Sequence, residues 1–283
     1  MPRAEFSAPL IHGQFREKRV NLSDEAFAYV EPGDGTDDPT DLIEPEVWEN
    51  LMDLPTDVLL RTTDHFGTKF REMQNISSMW LDVITPVDGV DPPLVFAAYL
   101  DAYDALKAAP FVVAHGWYQQ ATGGLRNALE VMTHAANCIV RGKEEQYEKW
   151  RDGSIELKFA NSVDNLERHS STSVLGSSLP PGTMYGKGGV IRQLYRELCH
   201  FAHGSPGHTN ADMWASNGPV FVPEAFGRFW GNYRDTFLAC SLLLKTAYSD
   251  MQLPADLTLV AQAAGQLWNN LAERAVASYF TDV

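Results

Sequence analysis

Apolar residues recur every three or four positions along most of the chain after residue 46, which is the spacing of an amphipathic α-helix. Runs that alternate apolar and polar residues are nearly absent, so the pattern predicts an all-α fold, a helical bundle. One short β-hairpin is expected near 212–222, around the turn signal Asn217-Gly218. The predicted helices lie at about 46–54, 55–84, 94–107, 111–140 with a bend at Gly123-Gly124, 143–153, 156–169, 189–203, 223–250 and 256–280.

The first 45 residues have a different character. The stretch EPGDGTDDPTDLIEPE is rich in turn formers and acids and has no apolar period. Twelve Asp or Glu and no Lys or Arg lie between Arg19 and Arg61. We therefore expect an irregular acidic arm over 1–45 and a helical domain over 46–283. The net charge of −15 disfavours a polyanionic partner, although the acidity is concentrated in the N-terminal half.

Targeting and cofactor signals are missing from the sequence. No apolar run approaches the roughly 20 residues of a membrane span, and the N-terminus lacks the features of a signal peptide. The three cysteines have no CxxC spacing and are expected to be buried thiols of a cytoplasmic protein. The stretch GTMYGKGG at 182–189 does not have the order of a Walker motif, so we expect a flexible loop there, with a phosphate cradle as the alternative. No cofactor is predicted.

Two predicted helices carry polar stripes. In LYRELCHFAHGSPGHTN, Arg196, His200 and His203 fall on one side of a helix whose other side is apolar. A solvated helix surface would have the same pattern. The second stripe, opposite an apolar face, consists of Arg126, Asn127, Glu130, His134, Asn137 and Arg141. The two stripes are predicted to face each other across a groove or a dimer interface.

The residue types of these stripes suit phosphodiester chemistry. An imidazole titrates near neutral pH and can act as a general acid or base. A guanidinium stays charged and can bind a phosphate with two hydrogen bonds. Together they can drive a ribose 2′-hydroxyl onto its own phosphodiester without a metal, and Glu130 can orient a histidine.

The segment LYRELCHFAH resembles the signature of HEPN domains, the helical bundles of many prokaryotic toxin and defence ribonucleases. That signature is an arginine followed after a few residues by a histidine near a helix end, and six residues separate Arg196 from His203. LRNALE at 125–130 and the later EEQYEKW are similar to segments of a HEPN-like branch of bacterial proteins. The resemblance covers about residues 110–245.

The resemblance implies a metal-independent endoribonuclease of a toxin–antitoxin or phage-defence system, acting as a homodimer on RNA. It implies that Arg196 holds the scissile phosphate and that His203 is the general acid or base, assisted by His200. The supporting and orienting residues would be Glu130, Asn127, Arg126 and Glu197. Nuclease branches usually have Asn, Asp or His at the position of Glu197, where an acid would repel RNA phosphate.

Two other interpretations remain open. HEPN-like bundles also serve as non-catalytic dimeric modules that bind a cognate partner protein, such as one of nucleotidyltransferase type. Alternatively, His200, His203 and His208 could bind a divalent metal, with Asp212 reaching in from the following loop.

Overall fold

The computed structural model describes residues 45–82, 94–170, 182–202 and 218–248, and the single positions 260, 261 and 268. The chain divides into two units, Met1–Trp48 and Glu49–Val283. Of the first unit only the short helix α1, Pro45–Trp48, is described, and the predicted acidic arm over 1–45 lies almost entirely outside the described residues. All other described elements belong to the second unit.

Every regular element in the described residues is helical, in agreement with the predicted all-α class. Within the described residues no helix is both long and apolar enough to cross a membrane. The second unit contains a π-helix over Glu49–Asp53 and the α-helices α2 Leu54–Asp82, α3 Leu94–Ala114, α4 Tyr118–Val140, α5 Glu144–Arg151, α6 Phe159–Ser170, α7 Val190–Ala202 and α8 Pro223–Ala247.

Helix α4 is the centre of the bundle. It packs against α3, α5, α6, α7 and α8, and every residue from Val131 to Cys138 is buried. Its contact with α3 is close because small residues form it: a Cβ added to Gly124 would lie 3.5 Å from the carbonyl oxygen of Ala105. Small side chains allow two helix axes to approach, and the contact then buries backbone as well as side-chain surface. A helix enclosed in this way places its polar residues in the interior.

The boundary between α3 and α4 differs from the prediction. Helix α3 continues through Pro110 to Ala114, and α4 runs unbroken through Gly123-Gly124. The chain turns instead at Gly116, whose φ of +79° is a left-handed conformation that glycine adopts without steric cost. The Gly116 amide donates to the Val113 carbonyl at 3.0 Å. The glycine therefore ends α3, while burial of Val113 and Ala114 in the last turn offsets the hydrogen bond lost at Pro110.

An aromatic stripe of α8 forms part of the core, as its helical spacing predicts. Phe226, Trp230, Tyr233 and Phe237 are all buried, and Phe226 stacks on Phe66 of α2 with ring centroids 4.0 Å apart. Helix α2 is bent at that position, since Phe66 has non-helical backbone angles. The predicted C-terminal helix over 256–280 lies mostly outside the described residues.

The segments that flank α7 contain turns. Residues 182–189 are a tight turn in which the Gly186 amide donates to the Gly182 carbonyl at 3.0 Å. A Cβ at Gly186 or Gly189 would overlap backbone atoms, so the predicted flexible loop is instead closely packed there. Of the predicted hairpin over 212–222, only 218–222 is described, and that part contains no strand.

Candidate functional site

Helix α7 presents Arg196 and His200 to solvent. Both side chains are exposed and lie one helical turn apart, whereas Ile191, Leu194 and Leu198 on the other side are buried. The division into a polar and an apolar face follows the prediction because the apolar spacing fixes which side enters the core. His203, the predicted acid or base, and His208 lie outside the described residues.

The neighbours of Glu197 belong mainly to α8, and His200, which shares the exposed surface of Arg196, also lies near it. Its half-buried carboxyl hydrogen-bonds with Asn232 and lies near the positive charge of Arg228. Burial raises the pKa of Glu197, while Arg228, Asn232 and His200 lower it without cancelling the effect of burial. Arg228 and Asn232 belong to α8. The negative charge of Glu197, which would repel RNA, is therefore partly compensated within the subunit.

Arg192, one turn before Arg196, has a structural role. Its Nε donates to the Tyr185 carbonyl at 3.0 Å, and its guanidinium forms an ion pair with Asp164 of α6. These contacts join α7 to the glycine-rich turn and to α6. Arg192 therefore does not share the exposed position of Arg196.

The polar stripe of α4 is buried at His134 and Asn137. His134 is completely buried, and its Nδ1 lies 2.8 Å from the hydroxyl of Ser162 on α6. Its ring makes edge contacts with Trp150 of α5 and Phe159 of α6. Asn127 and Arg141, towards the ends of the stripe, are exposed. The middle of α4 is thus covered within one chain, and a two-fold interface would have to use other surface.

A chain of charged contacts extends from His134 towards α7. The Nε2 of His134 lies 3.9 Å from Glu130 Oε1, and Glu130 Oε2 lies 3.3 Å from a guanidinium nitrogen of Arg126. Arg126 in turn donates to the Tyr195 hydroxyl at 2.9 Å. The contact with His134 and the charge of Arg126 lower the pKa of Glu130, although its burial opposes them. The Glu130 carboxylate is therefore stabilised as an anion within the bundle.

The hydrogen bond that Tyr195 forms with Arg126 was not predicted from the sequence. By its helical spacing Tyr195 falls on the apolar side of α7, and its ring stacks on Phe159 with centroids 3.6 Å apart. Its hydroxyl, however, accepts the hydrogen bond of Arg126, whose guanidinium also lies over the ring. The described contacts of Arg126 and Glu130 lead to Tyr195 and His134, so the structure does not join this pair to Arg196. A tyrosine at the edge of an apolar stripe was the only sequence signal for this link.

The sequence also did not predict a cleft that lies beside the polar contacts of His134. It has a volume of about 280 Å³ and lies between the end of α4 and the start of α6. Its lining residues are Asn137, Arg141, Glu156, Leu157, Lys158, Asn161, Ser162 and Asn165. Three asparagines on two neighbouring helices were its available sequence signal.

Metal ligation has no candidate among the described residues, which contain no cluster of three His, Cys, Asp or Glu side chains able to hold an ion. The alternative site at His200, His203 and His208 depends on two residues outside that part of the chain. The three cysteines are free, with Cys138 and Cys240 buried and Cys199 half-buried. Burial raises the pKa of Cys138 to about 11, so its thiol is a poor nucleophile at neutral pH.

Comparison of the chain with protein-family models, with curated proteins and with solved structures gave no match.

Proposed function

We propose that the protein is a HEPN-like, metal-independent endoribonuclease that acts in the cytoplasm as part of a prokaryotic toxin or defence system. The observation that carries this proposal is the joint exposure of Arg196 and His200 on α7, with Glu197 turned towards α8. The resemblance of LYRELCHFAH to the HEPN signature supplies the reaction type.

In the proposed reaction, the Arg196 guanidinium holds the scissile phosphate through charge-assisted hydrogen bonds. His203 or His200 accepts the proton of the ribose 2′-hydroxyl, whose oxygen then attacks phosphorus. The bond from phosphorus to the 5′-oxygen breaks, and that oxygen takes up a proton from the second imidazole or from water. The products are a 2′,3′-cyclic phosphate and a 5′-hydroxyl, and no metal or cofactor takes part in these steps.

The test is cleavage of a mixed RNA substrate by the purified full chain in the presence of EDTA. Arg196→Ala and His203→Ala should each reduce cleavage about 10²–10⁴-fold, the usual contribution of general acid–base catalysis. Arg196→Lys should restore only part of the rate because lysine cannot make the two-pronged contact. The matched controls are Arg168→Ala and His169→Ala, which alter an exposed Arg and an exposed His on α6. Equal losses in the control variants, or no cleavage by the wild type, would contradict the proposal.

Binding of a partner protein is the second candidate function. Large apolar side chains lie exposed near the start of α2, among them Leu51 at 60% and Leu60 at 63% exposure. Exposed apolar residues grouped in this way are typical of interaction surfaces. Such a surface could bind a second copy of the chain, as in the predicted homodimer, or a cognate partner protein. Sedimentation of the wild type and of Leu60→Glu would distinguish these two partners. A change from dimer to monomer would indicate self-association, whereas a wild type that sediments as a monomer would favour a different partner.

A further inference from the structure

The cleft between α4 and α6 is lined almost entirely by polar side chains. Asn161, Ser162 and Asn165 lie one turn or less apart on α6 and face Asn137 at the end of α4. Its volume of about 280 Å³ is just below the range for ligand pockets, so only a small molecule would fit. Leu157 is the one apolar residue in the lining, although apolar atoms make up more of the exposed cleft surface than polar atoms do.

Asn137 has an unsatisfied hydrogen-bonding atom in the wall of this cleft. The residue is 1% exposed, and its Oδ1 has no hydrogen-bond partner among the described residues. Its Nδ2 makes only a long contact of 3.9 Å with the Cys138 sulfur. A buried amide left in this state costs about 1–3 kcal/mol, so an asparagine at this position is costly unless something else binds to it. The oxygen has less than 1 Å² of accessible surface, so a donor in the cleft would satisfy it only after the Asn137 side chain rotates.

The charged residues around the cleft indicate which chemical groups of a ligand it can bind. Arg141 and Lys158 contribute two exposed cations at its edge, and Glu156 contributes a single acid. The cations can bind a phosphate or carboxylate, and Glu156 can accept a hydrogen bond from a hydroxyl or amino group. Aromatic side chains are absent from the lining residues, which makes a stacked nucleobase a poor fit.

We propose that this cleft binds a small organic anion that carries hydroxyl or amino groups, with Arg141 and Lys158 on its anionic group and Asn137 on one of its donors. Asn161 and Asn165 supply amides for the remaining hydroxyl or amino groups. A phosphorylated sugar and an amino acid share this chemistry. The site is separate from Arg196 and does not depend on the ribonuclease proposal.

The experiment is calorimetric titration of the full chain with ribose 5-phosphate, glutamate and inorganic phosphate. We expect saturable binding of ribose 5-phosphate or glutamate at micromolar to millimolar concentration, and the organic anion that binds distinguishes the two sources. Arg141→Ala and Asn161→Ala should each weaken binding about tenfold, the effect of losing one hydrogen bond to a charged group. Lys149→Ala and Asn127→Ala change an exposed Lys and an exposed Asn that do not line the cleft, and they should have no effect.

Asn137→Leu provides a second, independent readout. Removal of the unsatisfied amide should leave the melting temperature of the unliganded protein unchanged or raised, while it abolishes binding. Failure of both organic anions to bind at millimolar concentration would overturn the proposal, as would binding that Arg141→Ala and Asn127→Ala weaken equally. Arg196→Ala should leave binding unchanged, so loss of ribonuclease activity and loss of ligand binding can be told apart.

Discussion

The Nδ1 of His134 lies 2.8 Å from the hydroxyl of Ser162, and this contact joins the central helix α4 to α6 in the interior of the bundle. His134 is completely buried and Ser162 nearly so. A hydrogen bond between two buried polar groups fixes the register of the two helices, because any sliding would break it and leave both atoms unsatisfied. The same register places Asn137 opposite Asn161 and Asn165, so it also shapes the cleft.

Ser162→Ala should therefore reduce the free energy of unfolding by about 1–3 kcal/mol, since it leaves the buried Nδ1 of His134 without its partner. Ser241→Ala is the matched control. Ser241 is equally buried, but its hydroxyl donates only to the Phe237 carbonyl of its own helix at 2.9 Å. Its loss should change stability by about 0.5 kcal/mol or less, because alanine favours the helix. Urea unfolding measures both, and equal losses would show that the His134 contact contributes nothing specific.

Glu130→Gln should change how stability depends on pH. The contact with His134 and the nearby Arg126 hold the pKa of Glu130 below its usual range in the folded chain. The anion is thus favoured in the folded state, and its contribution is present at neutral pH. It is lost as the pH falls through the usual glutamate range, near 4.3, and below it. The wild type should accordingly be more stable than Glu130→Gln at neutral pH.

That difference should shrink as the solution is acidified, and urea midpoints measured at a series of pH values would follow it. A constant difference between the two proteins would show that ionisation of Glu130 does not stabilise the fold.

Gly116 and Gly123 should respond to alanine in opposite directions. Gly116 has a φ of +79°, and a Cβ there would overlap the backbone of Val220, so Gly116→Ala should cost more than about 2 kcal/mol. Gly123 is inside α4, and no described atom lies within 4 Å of an added Cβ. Gly123→Ala should stabilise the helix by about 1 kcal/mol. Thermal unfolding of both variants checks this, and destabilisation by Gly123→Ala would mean that α4 needs a bend at that position.

The bend predicted at Gly123-Gly124, where α4 runs unbroken, illustrates which parts of the fold can be predicted from the sequence. The spacing of the apolar residues predicted the helices and the buried faces of α7 and α8, because the apolar side of an amphipathic helix is the side that packs into the core. It misplaced the end of α3 because Pro110 and Gly123-Gly124 are local helix breakers, whereas Gly116 ends the helix through its left-handed φ at a position where the backbone of Val220, far along the chain, leaves no room for a Cβ. Local propensity cannot weigh a contact of that kind.

The site was predictable to a similar degree. Exposure of Arg196 and His200 follows from the apolar stripe opposite them. Burial of His134 and Asn137 does not, because a solvated polar stripe and one covered by another helix have the same period. The residue types were the one sequence feature that indicated burial, because asparagine and histidine are unusual on an exposed helix surface. Only the position of α6 reveals what covers them.

Glu197→Gln tests the orientation on which the ribonuclease proposal depends. Burial raises the pKa of Glu197, so the folded state favours the protonated acid, and stability is lost as the pH rises from the usual glutamate range through the raised value. Glutamine cannot ionise and can keep the hydrogen bond with Asn232, so this variant should be more stable than the wild type at neutral pH, with the difference vanishing in acid. That trend is opposite to the one expected for Glu130→Gln. Because the carboxyl is directed at α8, kcat/KM for RNA should change far less than in Arg196→Ala. A large gain in RNA affinity would mean instead that Glu197 faces the substrate beside Arg196.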